Sequence, residues 1–362
     1  MEELKLKASE NTLRIIWSVE KTHLNLGLPI VFAKIIDLAN LGCFIVADRG
    51  KGKTTILKTM VPLRHRDVLL INILTYAGLP KLADKLNGRE VTLLNYDFSS
   101  FYTEYLRDVG VNLISQLITE GRVKAETGKY TIEIADCKIS FLSAMQPQML
   151  RKLNRASAWE SMYKDRFIRL FLLYPFGTPK YREHMPNVPM IEWTLANPEQ
   201  VSIPKEIKRS TKYERVRMIL ARQTSEGRSR LYLDRLLKAK AYLDNRDIAL
   251  MEDLEFIELY APYLLLDFIL SKRDTVAAPL VLNPNSYLVL FYLIEHGAAQ
   301  RKEMQRHFQV SYQTMLRALK PLQEIGVIKG TWGADEYKVN PKWYEKYILP
   351  IIKFAEANEV IK

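Results

Sequence analysis

The chain has 362 residues, 48% hydrophobic and 26% charged, a balance that excludes wholesale disorder and a membrane-embedded body. At roughly 150 residues per domain there is room for two or three domains. Lysine and arginine total 53 against 41 acids, and the net charge of +12 favours polyanionic partners such as nucleotides and nucleic acid. Between Lys205 and Lys240 lie twelve basic residues and four acids, so that one segment carries most of the surplus.

The polar start, Met1 to Glu10, lacks a signal-peptide core, and the longest apolar stretch, Tyr263 to Leu270, is broken by Asp267. We therefore expect a cytoplasmic protein with no membrane partner. Cys43 and Cys137 read as core thiols, and the five histidines show no metal-ligand spacing, which argues against zinc.

In chain order, the first block alternates β-rich runs with helical patterns, the signature of a parallel α/β sheet. Gly42 to Asp48, Asp67 to Asn72, Val91 to Tyr96, Ile139 to Ala144 and Phe167 to Tyr174 are the expected strands. Thr55 to Met60, Leu79 to Leu86 and Phe101 to Glu120 are the expected helices. Tyr130 to Ala135 and Cys137 to Leu142 read as a hairpin feeding the fourth strand. Six of the sixteen prolines fall between Pro175 and Pro204, where helix and central strand are both disfavoured, so a connector is expected there. Residues 205 to 271 read as almost all helix. A second break runs from Lys272 to Pro284. Three units follow from these breaks: 1–204, an all-helical 205–272, and 284–362.

Residues 47 to 54, Ala-Asp-Arg-Gly-Lys-Gly-Lys-Thr, follow an apolar strand and precede a helical run. They match the A/G-x-x-x-x-G-K-S/T form of the Walker A loop. Gly50 and Gly52 let the backbone N–H groups of Ala47, Asp48, Arg49, Lys51 and their neighbours turn inward around phosphate oxygens. Lys53 would reach the β and γ phosphates, Thr54 would hold Mg²⁺, and Thr55 would follow on the helix. ATP and Mg²⁺ are thus the expected cofactors. Asp97, which closes Val-Thr-Leu-Leu-Asn-Tyr-Asp, is the expected metal-side acid, its alternative being a cap on the helix starting near Ser99. Phe98 follows where a hydrolysing site generally has a second acid, which leaves Glu104 or a residue from elsewhere as the base.

The third unit reads as a helix (Ser286 to Glu295), a second (Arg301 to Phe308), a third (Ser311 to Glu324), then a glycine-bounded hairpin. This pattern looks like a winged helix. The outward side chains Tyr312, Gln313, Thr314, Arg317 and Lys320 are of the types that meet phosphates or base edges, and Lys329, Thr331 and Trp332 would lie on the wing. Residues 285 to 340 hold only seven Lys or Arg against five acids, so protein docking stays open as an alternative to DNA binding. Trp343 to Ala355 should pack back on the body or on a neighbouring protomer, kinked at Pro350.

Over roughly residues 20 to 262 the order of elements resembles the AAA+ superfamily of ring-forming ATPases. That resemblance implies a sensor 1 residue at the tip of the next strand, Ser143 or Gln146. It also implies an arginine reaching the neighbouring subunit's site, for which Asp165-Arg166-Phe167 stands, and a sensor 2 arginine in a helical lid. In Gly227-Arg228-Ser229-Arg230-Leu231 the preferred residue is Arg230. With the winged helix, the whole is similar to origin-recognition and branch-migration ATPases. The resulting expectation is an oligomeric, DNA-associated ATPase, a ring or clamp. An ATP-gated regulator or scaffold with little hydrolysis is the alternative, and a small-molecule P-loop kinase would leave the basic helices and the winged helix idle.

Overall fold

Five strands form one parallel sheet, four of them largely buried and the edge strand β2 more exposed: β1 (Gly42–Val46), β2 (Asp67–Leu70), β3 (Glu90–Asn95), β4 (Lys138–Met145) and β5 (Phe167–Phe171). The spatial order is β2-β3-β4-β1-β5, every pairing parallel. β1, β4 and β5 are nearly all buried, as strands covered on both faces must be. This computed structural model describes residues 10–101, 103–126, 131–155, 159, 163–175, 177–273, 280–331 and 335–360.

Side-chain alternation assigns the two layers of helix. Thr92 and Ser140, paired in register, both donate to the carboxylate of Asp37 on α1 (Gly27–Leu38). The opposite face carries Gly42 and Phe44 and meets the helix Glu104–Glu120, where Ile118 lies so close to Gly42 that a Cβ there would come within 2.8 Å of it. Helices on both faces of a parallel sheet make an α/β domain.

One expectation is corrected. Thr131–Ile134 does not pair with the fourth strand but antiparallel with Val123–Glu126, in a small sheet of its own. Asp136 turns the chain through a left-handed conformation (φ +52°), and the Cys137 N–H donates to Gly121 O. β4 then enters the centre of the large sheet, where its apolar residues are covered from both sides. Tyr130 lies outside the described residues.

Residues 205 to 270 are helical as expected. α2 (Thr211–Leu220), α3 (Glu226–Leu243), α4 (Met251–Glu258) and α5 (Ala261–Leu270) are its main members. They join the sheet through Arg169 of the edge strand β5, which is not the surface charge its position suggests but fully buried. Its Nε donates to Asp267 Oδ2 of α5 at 2.5 Å, and its other nitrogens donate to the carbonyls of Lys164, Phe167 and Gln223. Gln223 in turn accepts from the Arg169 N–H and donates to its carbonyl, 2.8 Å each, in effect adding a side chain to the edge of the sheet.

The break after α5 is bridged: Ser271–Arg273 and Leu280–Leu282 pair antiparallel. α6 (Pro284–His296), α7 (Arg301–Phe308) and α8 (Tyr312–Glu324) follow, then a three-stranded sheet of Ala298–Gln300, Glu336–Val339 and Ile328–Thr331 with Glu336–Val339 in the centre. The strand Ala298–Gln300 is too short to carry a period in the sequence. Pro350 does interrupt the terminal helix, giving Pro341–Tyr347 and Leu349–Ala357. This segment packs back on the body, with Trp17 Nε1 donating to Asn358 O at 2.8 Å and Phe354 edge-on to Phe256.

Arg169→Met should lower stability by about 3–5 kcal/mol, because it strands the buried Asp267 carboxylate. Arg169→Met combined with Asp267→Leu should recover most of that loss. Urea titration followed by circular dichroism measures both, and a double variant no better than the single would refute the role given to this pair.

Candidate functional site

In a parallel sheet the loops after the strands gather at one edge, where ligands of open α/β folds bind. That edge holds the loop after β1 (residues 47 to 52), the turn after β3 with Asp97, Gln146 after β4, and the chain after β5. Ala47 is fully buried and its N–H continues the ladder to Met145 O at 3.2 Å. Asp48 is half-buried, whereas Arg49 and Gly50 are exposed. Gly50 and Gly52 both take left-handed conformations, φ +70° and +79°. Gly52 caps the helix Lys53–Thr59 and is walled in, since a Cβ there would fall 2.8 Å from Leu26 Cδ2.

Lys53 Nζ donates to Asp48 O at 2.6 Å, tying the start of the loop to its end. Burial lowers the ammonium's pKa, and the nearby carboxylates of Asp48 and Asp97 oppose that shift. Asp97 is thus close enough to Lys53 to be felt electrostatically. It also caps, its Oδ1 accepting from the Ser99 N–H at 2.9 Å, and the carboxylate remains exposed. Phe98 is fully buried, which closes the position of the missing second acid to solvent, and Glu104 is exposed on the first turn of its helix.

Of the two sensor candidates, Ser143 is fully buried inside β4 and donates to Asn95 Oδ1 of β3 at 2.7 Å. Asn95 in turn donates to Ile71 O and Asn72 O. Ser143 therefore reaches the edge only through Asn95, which sequence reading missed. Gln146 stands at the strand tip itself, half-buried.

The arginines are not brought to this loop. Arg166 immediately precedes β5 and so lies at the opposite edge of the sheet, its Nη1 donating to Ser115 Oγ of its own chain at 2.8 Å. Arg228 is ion-paired with Asp165, and Tyr232 OH donates to Arg166 O at 3.0 Å, which pins the start of α3 to that same far edge. Arg230, exposed and lying between Arg228 and Tyr232 on the same helix, is thereby held away from Lys53 of its own chain.

Two groups of residues around the loop bring in partners that the sequence pattern does not show. Lys51 faces away from the cradle: its Nζ donates to Thr178 Oγ1 at 3.0 Å and sits 4.4 Å from the ring centroid of Phe291 on α6. Thr178 Oγ1 donates to Glu295, also on α6, and Tyr174 OH donates to Lys51 O. On another flank Thr54, Thr55 and Lys58 line a cavity of about 340 Å³ together with His23, Tyr181 and His184.

In the carboxyl-terminal unit Ser311 caps α8 as expected, accepting from Thr314 N–H at 3.2 Å. Tyr312, Gln313, Arg317, Lys320 and Lys329 are exposed, and Thr314 is half-buried. Arg301 lies over the Tyr312 ring at 4.2 Å and is itself ion-paired with Asp335. Trp332 and the side chain of Thr331 lie outside the described residues. The basic helices are less bare than their composition suggests. Lys208, Lys212, Arg215, Arg217, Arg228 and Lys240 are ion-paired to Asp234, Glu255, Glu258, Glu214, Asp165 and Asp244.

Among the described residues no cluster of three or more His, Cys, Asp or Glu side chains could hold a metal alone, and no helix is long and apolar enough to cross a membrane. Gly50→Ala should cost about 1 kcal/mol, the left-handed penalty alone. Gly52→Ala should cost clearly more, because its methyl meets Leu26; thermal denaturation of the two variants checks this, and equal costs would refute it. No known protein family and no characterised protein matches this sequence.

Proposed function

We propose that the chain is an ATP-binding P-loop protein of the AAA+ type, with a carboxyl-terminal winged helix that engages DNA. The observation that carries the reading is the loop from Ala47 to Thr54: it leaves a parallel strand at the edge where ligands of open α/β folds bind, with two left-handed glycines and with Lys53 within electrostatic reach of Asp97. In this reading the loop N–H groups and the Lys53 ammonium hold the phosphates. The hydroxyl of Thr54 and the carboxylate of Asp97 are hard oxygen donors that suit Mg²⁺, which when bound neutralises phosphate charge. Gln146 is the better sensor candidate, being at the strand tip, with Ser143 and Asn95 behind it. The aromatic rings of His23, Tyr181 and His184 beside Thr55 offer the nucleoside an apolar wall.

For DNA, the exposed side chains of α8 are the expected contacts, with phosphates drawing on Arg317 and Lys320. Ion pairing within the helical unit shifts the electrostatic load toward these residues. A trans-acting Arg166 would first have to leave Ser115.

A second reading has its own support. The buried Phe98 after Asp97, and the engagement of Lys51 with α6, favour a nucleotide-gated switch with slow turnover. ATP turnover measured with and without duplex DNA separates the two.

Lys53→Ala should weaken ATP binding by about tenfold or more, the equivalent of one charged hydrogen bond, in a fluorescent-nucleotide titration. Unchanged affinity would sink the loop assignment. Replacing Arg317 and Lys320 together with alanine should weaken duplex binding and lower its salt slope by about 2. No change in either quantity would move this unit into the protein-docking class.

A further inference from the structure

A cavity of about 900 Å³ lies well apart from the loop edge, between the helical unit and the carboxyl-terminal unit. α2, α4 and α5 form one bank; the end of α8 and the terminal helix Pro341–Tyr347 form the other. Its walls are apolar, from Leu265, Ile269 and Val327 to Trp343 and Tyr347. At its lips Met218 and Ile325 are 47% and 49% exposed, although both are large apolar side chains.

The rim is charged unevenly. Lys212, Arg215, Arg222 and Lys346 line it against two acids, Glu255 and Glu258. Both acids are already taken, Glu255 by Lys212 and Glu258 by Arg215, whose guanidinium grips it with two nitrogens at 2.5 and 2.8 Å; Arg222 is engaged as well, so the surplus charge of the rim is that of Lys346. An apolar trough under a net positive rim discriminates between occupants. A nucleic acid would gain from the rim but nothing from the walls. A small-molecule anion would leave most of the trough wet. An α-helix with one apolar face fills such a groove, and a methionine at the lip adapts to its side chains.

We infer that this groove docks an amphipathic helical segment of a partner protein, apolar along one face and acidic on its flanks. The occupant would touch the helical unit and the carboxyl-terminal unit at once. The inference does not rest on nucleotide binding.

The probe is a fluorescein-labelled synthetic helix of about 20 residues, with leucine at i, i+3, i+4 and i+7 and glutamate on both flanks, beside a counterpart with lysine for glutamate. Fluorescence anisotropy with the full chain should show the acidic peptide binding about tenfold or more tightly than the basic one, and less tightly as salt rises. Met218→Asp and Lys346→Glu should each weaken it by about tenfold, with circular dichroism unchanged because Met218 is a surface side chain. Lys53→Ala should bind the peptide like the unsubstituted chain. Equal affinity for both peptides, or indifference to both groove substitutions, would overturn the proposal. So would a self-associated chain that Met218→Asp dissociates and the peptide does not, since the groove would then belong to a second copy.

Discussion

The buried guanidinium of Arg169 is the constraint on which the arrangement of the molecule depends. A fixed positive charge in the wall of a sheet is tolerable only with a carboxylate and several carbonyls around it. Here those partners come from three places: Asp267 on α5, Gln223 after α2, and the turn at Lys164. The edge strand of the sheet can therefore be closed only by this helical unit in this orientation. The same closure fixes Asp165 and Arg166 beside α3, and so decides that Arg228 and Arg230 stand at the far edge from the glycine-lysine loop.

A second buried charge organises the other face. Asp37 accepts from Thr92 and Ser140, and is flanked by Lys34 at 2.7 Å and Arg66 at 3.0 Å, which hold its pKa well below the usual carboxylate range against the effect of burial. His65, packed into the same cluster, is pushed down to about 2 by burial and by Lys34, so it stays neutral. The cluster ties α1 to the starts of β3 and β4. With the amino-terminal edge locked by charge, the opposite edge is left for exposed, adaptable loops, which is where Asp97, Gln146 and Gly50 are found.

Much of this was legible in the sequence, for identifiable reasons. Short runs rich in apolar and β-branched residues, bounded by turn residues, point to strands, and all five appeared within a few residues of their expected limits. The glycine pair before Lys53 marked a tight bend, and both glycines take left-handed conformations there. What stayed hidden was long-range. Asn95 orienting Ser143 depends on a strand register that no local pattern encodes. Where Arg166, Arg228 and Arg230 stand was also hidden, because spacing along the chain says nothing about which edge of the sheet a helix starts from. The surplus charge of residues 205 to 240 is partly matched by Glu255, Glu258 and Asp165 from other segments, which a count along the chain does not reveal. The supposed hairpin at residue 130 failed for a related reason: two neighbouring strands were assumed to pair, but one of them was needed in the centre of the sheet.

Lys51 adds a mechanical corollary. It is the residue between the two left-handed glycines, and both ends of it are held: its carbonyl by Tyr174, its ammonium by Thr178 and the ring of Phe291. Any torsional adjustment of the bend at residue 50 must strain or release a helix some 240 positions away, and a displacement of that helix must be felt at the bend with equal free energy. Two stretches that look unrelated on paper are geared to each other.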